Sequence, residues 1–180
     1  MRPSIEQTIE VKQACAEHVS PVRAVLAACV RHLRDQGIDQ WDDVYPDLDT
    51  VEHDIASGTL YVALEGAHCI GALCLNEEAD EAYATVTWGG EEPALIVHRL
   101  CVLPSEQGRG VASRLMDVAE AEGARRGYAS IRLDAYSGNP RAVGLYTRRG
   151  YATAGHVYFP RRTLPFACME KALPARPARK

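Results

Sequence analysis

The chain has 180 residues, of which 47% are hydrophobic and 24% charged, with a formal net charge of −4. That size and balance predict one globular domain with its own core. The acidic balance argues against a nucleic-acid binder, which needs a basic face, and no apolar run approaches the length of a membrane span.

The negative charge suits a cationic partner such as an amine. The six cysteines, Cys15, Cys29, Cys69, Cys74, Cys101 and Cys168, form no C-x-x-C pair, and no Cys/His spacing reads as a zinc site. Most lie in apolar patterns, where a free thiol behaves as a small hydrophobe, so no metal is expected and a reducing cytoplasm is the expected setting. The opening MRPSIEQTIEVKQ lacks the apolar stretch of a secretory signal.

In chain order, Ser4 to Val11 reads as a first strand. Pro21 to Gln36 sets Val22, Val25, Leu26, Cys29, Val30 and Leu33 at helical spacing, and Gly37 stops it. Leu48 to Ser57 is a shorter helix ended by Gly58. Leu60 to Leu64 and Cys69 to Leu75 are strands of a hairpin around Glu65-Gly66-Ala67. Ala94 to Leu103 is a long apolar run stopped by Pro104, the pattern of a central strand. Gly110 to Arg126 is an amphipathic helix closed by Gly127. Ser130 to Ala135 is a strand. Asn139 to Arg149 is a helix with Asn139 as N-cap, Pro140 in the first turn and Gly150 at the C-terminal end. Tyr151 to Phe159 and Phe166 to Lys171 are closing strands. Adjacent antiparallel strands followed by a crossover unit predict an α/β (α+β) layer on one mixed sheet. The domain spans residues 5–172, and 173–180 reads as a disordered basic tail.

The stretch from His98 to Met116 carries the chemistry. A strand enters a short loop, and Gln107-Gly108-Arg109-Gly110-Val111-Ala112 opens a helix. Backbone N–H groups there have no internal partner and lie at the positive end of the helix dipole. Gly108 and Gly110 remove side chains that would block an anion, and a pyrophosphate is the natural guest. On the glycines alone, a helix start that binds nothing reads equally well. The spacing matches neither G-x-G-x-x-G nor G-x-x-x-x-G-K-[ST], which sets aside dinucleotide and P-loop sites.

Leu100-Cys101-Val102-Leu103-Pro104 followed by Gln107-x-x-Gly110-x-Ala112 resembles the [QR]-x-x-G-x-[GA] acetyl-CoA motif of the GNAT superfamily of N-acetyltransferases. About thirty residues on, LDAYSGNPRAVGLYTRRGY (Leu133 to Tyr151) resembles that superfamily's second motif. Phe166 to Lys171 resembles the last strand of bacterial members, and the likeness covers Ile5 to Ala172. It implies a single mixed, mostly antiparallel sheet with a splayed central pair of strands flanked by helices. It also implies acetyl-CoA as cosubstrate, no metal, and direct acetyl transfer to a primary amine in a ternary complex.

The resemblance assigns roles residue by residue. Leu100, Cys101 and Val102 would pair with the pantetheine arm through main-chain groups and stabilise the oxyanion. Gln107, Gly108, Arg109, Gly110, Val111, Ala112 and Ser113 would hold the pyrophosphate, with Arg109 either a contact or a solvated loop arginine. Asn139 would face the cofactor, cap its helix, or do both. Tyr146, seven residues and about 10 Å further along that helix, would protonate the departing thiolate. Without the resemblance it reads as a core tyrosine. The glutamate that members often carry on the strand before the loop is replaced here by Ile96. His98, two residues on and on the same sheet face, is a candidate base or a packed structural histidine. Glu77, Glu78, Tyr83 and Glu92 are weaker candidates.

Trp41, Tyr45, Tyr83 and Trp88 sit among carboxylates in 37–49 and 76–93, where they are candidates for binding a small-molecule or peptide amine. An ordinary solvated acidic surface explains the same residues. Arg161 and Arg162 would equally favour an acceptor carrying a carboxylate. A non-catalytic acyl-CoA-binding module and a transferase for a longer acyl-CoA are the rival readings. Exposed strands near the C-terminus make a homodimer an expectation.

Overall fold

The computed structural model describes residues 8–42 and 45–174, so part of the predicted first strand, Asp43 and most of the predicted tail lie outside the described residues. Among the described residues seven strands form one sheet: β1 (Ile9–Gln13), β2 (Leu60–Glu65), β3 (His68–Asn76), β4 (Ala94–Val102), β5 (Ser130–Tyr136), β6 (Ala152–Val157) and β7 (Phe166–Ala172). Their spatial order is β1-β2-β3-β4-β5-β7-β6, and every neighbouring pair is antiparallel except β4–β5. Helices α1 (Val19–Asp35), α2 (Leu48–Ala56), α3 (Val111–Arg126) and α4 (Pro140–Arg148) cover it. The first strand runs later than the sequence suggests. Helix α1 begins before Pro21, which fits because N–H groups of a first turn have no helical partner to lose.

Alternation along the strands divides the core between the two faces. Leu73, Leu95, Ile131, Leu133 and Met169 pack with Leu115 and Met116 of α3 on one face. Val62, Ala72, Cys74 and Cys101 pack with Val22, Val25 and Cys29 of α1 on the other. Gly71 allows a close approach: a Cβ there would meet the Cys101 carbonyl oxygen at 2.9 Å and Val111 Cγ1 at 3.1 Å.

Two irregularities shape the centre of the sheet. The first is a bulge in β4. Cys74 lies opposite His98 while Ala72 lies opposite Cys101, so β4 carries one extra residue. Arg99 sits in that stretch with a φ of +53°. A bulge reverses which side chains face which way. Beyond it, Leu100 and Val102 join the α3 face and Cys101 joins the α1 face. The second is a fork. β4 and β5 pair only from Ala94–Ser130 to Ile96–Arg132, while their outer partners follow them further. The strands therefore part into a V, as the resemblance implies.

Arg132 holds the fork. Its Nε donates to Glu170 Oε1 at 2.7 Å, it also reaches Glu92, and its guanidinium stacks 4.7 Å over the Trp88 ring. Glu170 also accepts the N–H groups of Gly89 (3.0 Å) and Gly90 (2.6 Å). Burial pushes the Glu170 carboxyl up, but Arg132, the Gly90 N–H and Ser130 together outweigh it and hold the group below the ordinary carboxylate range.

Candidate active site

The V opens a window through the sheet, and a cleft lies on each side of it. The first cleft, of about 370 Å³, runs between β4, the start of α3 and α4. Its floor is the β4 edge at Leu100, Cys101 and Val102, which β5 leaves unpaired. Its far wall is Gln107, Gly108, Gly110, Val111, Ala112 and Ser113, and Asn139 and Tyr146 of the α4 segment close the opposite side. The loop takes this path because Gly108 and Gly110 have φ of +85° and +82°, values that L side chains resist. Gly110 caps α3, so the N–H groups of Val111, Ala112 and Ser113 face forward with no preceding turn to accept them. Arg141 and Arg148 add positive charge on the rim.

Arg109 does not line this cleft. Its guanidinium turns away to Glu65 (Nη2 to Oε1, 2.5 Å) and to Glu106, two carboxylates that the loop and β2 bring within reach. Arg141 takes up position nearer the glycines, donating to Gln107 Oε1 at 2.7 Å. Asn139 caps α4 by accepting the Ala142 N–H at 3.2 Å and donates its Nδ2 to Gln40 Oε1 at 2.8 Å. That bond clasps the α1–α2 connection over the site.

The second cleft, of about 490 Å³, lies beyond the window. Gln40, Trp41 and Tyr45 form one side; Asn76, Glu78, Asp80 and His98 another; Phe159 to Arg162 a third. The two clefts share Gln40, Trp41, Leu100, Asp134 and Tyr146. Among those five only Asp134 and Tyr146 carry titratable protons.

Tyr146 reaches the window from the α3 face of the sheet, packed edge-on against Tyr151 with ring centroids 5.8 Å apart. Its hydroxyl has no hydrogen-bond partner among the described residues. No sealed polar side-chain atom among them lacks a partner, so this hydroxyl opens to the clefts. Burial first, then the nearby Asp134 charge, pushes the phenol up, so it stays protonated. Asp134 sits on β5 and accepts from the Tyr83 hydroxyl at 2.7 Å. Burial raises the Asp134 carboxyl although Tyr83 works against that shift.

Sequence reasoning does not single out Asp134. It lies in plain view between Leu133 and Ala135, and an acidic residue inside an apolar strand five positions before a helix N-cap is the signal that could have marked it. His98 lines the second cleft alone and not the junction. Its Nε2 lies 2.9 Å from Asn76 Oδ1, which already accepts the Glu78 N–H at 3.0 Å, so Nε2 is the donor. Burial first, and the Arg99 charge second, pull the ring down to about 4. These ties make it a poor base.

Trp41 and Tyr45 line the second cleft, but Tyr83 and Trp88 line neither. Tyr83 is buried beneath Asp134, and Trp88 Nε1 donates to the Tyr83 carbonyl at 3.3 Å under the Arg132 stack. The two rings brace the site from below, because the segment that carries them folds against β5 and β7 instead of over the opening. Tyr45 is held by Arg99, whose Nη1 donates to its hydroxyl at 3.0 Å and whose Nε and Nη2 both engage Asp54. The one group of metal-capable side chains found among the described residues, Cys15, Glu17 and His18, lines neither cleft.

The sequence model of the Acetyltransferase (GNAT) family matches residues 24–151 of this chain. The chain belongs to the GNAT acetyltransferase family. A relative from Bacillus subtilis (strain 168), "Uncharacterized N-acetyltransferase YesJ", is 25% identical over 146 residues, which is 79% of this chain and 81% of the relative. A GNAT-family acetyltransferase from Streptococcus agalactiae 2603 superposes with a TM-score of 0.79 at 20% identity, over 92% of this chain and 96% of its own. Ard1 from Thermoplasma volcanium superposes with a TM-score of 0.69 at 12% identity, over 92% and 97%. At such identities the superpositions speak for the fold. No helix among the described residues is long and apolar enough to cross a membrane.

Proposed function

We propose that this GNAT protein transfers an acetyl group from acetyl-CoA to a primary amine, directly, with both bound at once. The observation that carries the reading is the meeting of two clefts at a window whose titratable walls, among the described residues, are Asp134 and Tyr146. The first cleft fits the donor. Forward-facing N–H groups at the start of α3, opened by two left-handed glycines and rimmed by Arg141 and Arg148, suit a pyrophosphate. The unpaired edge of β4 suits a chain of amides, which can add to it as a strand would. When bound, acetyl-CoA supplies the activated thioester.

The chain's own residues divide the proton work. Asp134, a carboxylate made more basic by burial, takes the proton that the amine sheds as it attacks. Tyr146 holds its proton until a thiolate forms beside it, then releases it to the sulfur. Main-chain groups at the bulged end of β4 would stabilise the oxyanion that forms on the reacting carbonyl. Leu100 and Trp41 keep the window apolar, which strengthens each of these interactions.

The test is product formation by mass spectrometry with acetyl-CoA and a panel of amines. Tyr146→Phe should keep its affinity for acetyl-CoA and lose roughly 10- to 10⁴-fold in turnover. Unchanged turnover with chemistry rate-limiting would remove Tyr146 from this role.

A further inference from the structure

The second cleft has a polarity that a bare amine does not need. Three arginines line it, and they differ in how far they are satisfied. Arg99 is spent: Nε and Nη2 bind Asp54, Nη1 binds the Tyr45 hydroxyl, and Asp54 itself is 2% exposed. Arg161 is largely in solvent and lies 3.5 Å from Asp42. Arg162 is different. Its side chain is only 9% exposed, yet it engages protein through Nη1 alone, to Asp42 Oδ2 at 3.0 Å and to the Arg161 carbonyl at 3.3 Å. Its Nε and Nη2 have no partner among the described residues. No sealed polar side-chain atom among them lacks a partner, so these two nitrogens reach solvent, and the cleft is the opening that Arg162 lines.

A guanidinium held at one nitrogen and open at the other two presents the parallel fork that a carboxylate matches with both oxygens. Elsewhere in the cleft stand Glu78, Asp80 and Asp134, which favour an ammonium. Trp41, Phe159 and Phe166 supply apolar surface. A positive wall, an acidic wall and apolar surface match a molecule with an amine, a carboxylate and an apolar body.

We infer that the acceptor is an amino carboxylic acid with an apolar side chain, its carboxylate gripped by Nε and Nη2 of Arg162 and its amine directed at the window. This deepens the acetyltransferase reading and rests on it for the fate of the amine, but not for the anion pocket.

The experiment compares matched pairs. Acetylation of L-phenylalanine, phenethylamine, glycyl-phenylalanine and spermidine is followed by mass spectrometry. In parallel, binding of N-acetylphenylalanine and N-acetylphenethylamine is measured by calorimetry in the presence of CoA. The inference expects at least about tenfold higher kcat/KM for an amine bearing the carboxylate, and at least about tenfold tighter binding of the acidic amide. In Arg162→Gln both ratios should fall toward one, and Arg162→Lys, which keeps charge but loses the fork, should fall between. The wild-type ratios need no variant, so a misfolded Arg162→Gln does not spare the idea. The dipeptide arm shows whether a free amino acid or a peptide end fits the spacing. Equal or better handling of phenethylamine or spermidine, or equal binding of the two amides, overturns the inference. Carboxylate-dependent binding with no acetylation of any amine would support the anion pocket and sink the acetyltransferase reading instead.

Discussion

Replacing Asp134 by asparagine separates chemistry from stability, because the two should move in opposite directions. The amide keeps the shape and can still accept the Tyr83 hydroxyl, 2.7 Å away in the parent. What it loses is the ability to take a proton. Removing a positioned base typically costs about 10²- to 10⁴-fold in rate, or roughly 3 to 5.5 kcal/mol of barrier. Stability should behave otherwise. The folded-state pKa of Asp134 is raised, so ionising it costs more in the native state than in the unfolded chain, and holding it ionised near neutrality works against folding. A neutral amide at that position carries no such penalty, so at pH 7 the Asp134→Asn protein should be at least as stable as the parent. Urea unfolding gives the stability, and product formation at saturating acetyl-CoA between pH 6 and 9 gives the rate. The rate deficit should narrow toward the alkaline end, where more of the amine arrives already neutral. Retained turnover with chemistry rate-limiting would refute the base assignment. A uniform deficit at every pH combined with lost stability would mark Asp134 as a structural residue.

Other consequences are equally direct. Gly110→Ala meets no neighbour within 4 Å, so its effect comes from a φ of +82° alone: about 1 kcal/mol of stability, together with weaker acetyl-CoA binding by calorimetry. Unchanged affinity would mean that the loop's path does not matter for the donor. Arg132→Met should cost about 3 kcal/mol in a denaturant titration, the low end for breaking a buried pair, because Glu170 keeps Gly89, Gly90 and Ser130 as donors. A loss below about 1 kcal/mol would show that the fork does not depend on this pair. His98 has its folded-state pKa depressed from 6.5 to about 4, so it favours the fold above pH 6.5 and that contribution fades as pH falls toward 4. Denaturation curves of His98→Gln should therefore fall off less steeply than the parent's over that window, by about 3 kcal/mol at most. Parallel curves would show the ring to be unperturbed.

Local signals are legible wherever one residue type decides the backbone. Gly110, Gly127 and Gly150 all adopt positive φ, and the two helices they frame lie where spacing puts them. Asn139 caps because its side chain can reach the Ala142 N–H, a property of sequence neighbours. The bulge at Arg99 leaves no trace, since no glycine marks it and its partners are residues of α2 and the α1–α2 connection. The loop's cation is hidden for the same reason. Proximity in sequence favours Arg109, but Glu65, 44 positions away, claims it in space. Trp88 reads as a wall because aromatics beside carboxylates often are. Its position under Arg132 depends on a strand pairing that no local pattern specifies. The junction itself, where α4 offers Tyr146 and β5 offers Asp134, emerges only from the whole sheet.

A window with one cleft on each side has a consequence for how such a protein can diversify. Residues that shape the first cleft come from β4, the α3 loop and α4, whereas the second is built by the α1–α2 connection, the segment after β3 and the β6–β7 turn. The two sets overlap only at the window. Mutations can therefore redraw one chamber while leaving the other intact, much as a lathe accepts new workpieces without a new motor.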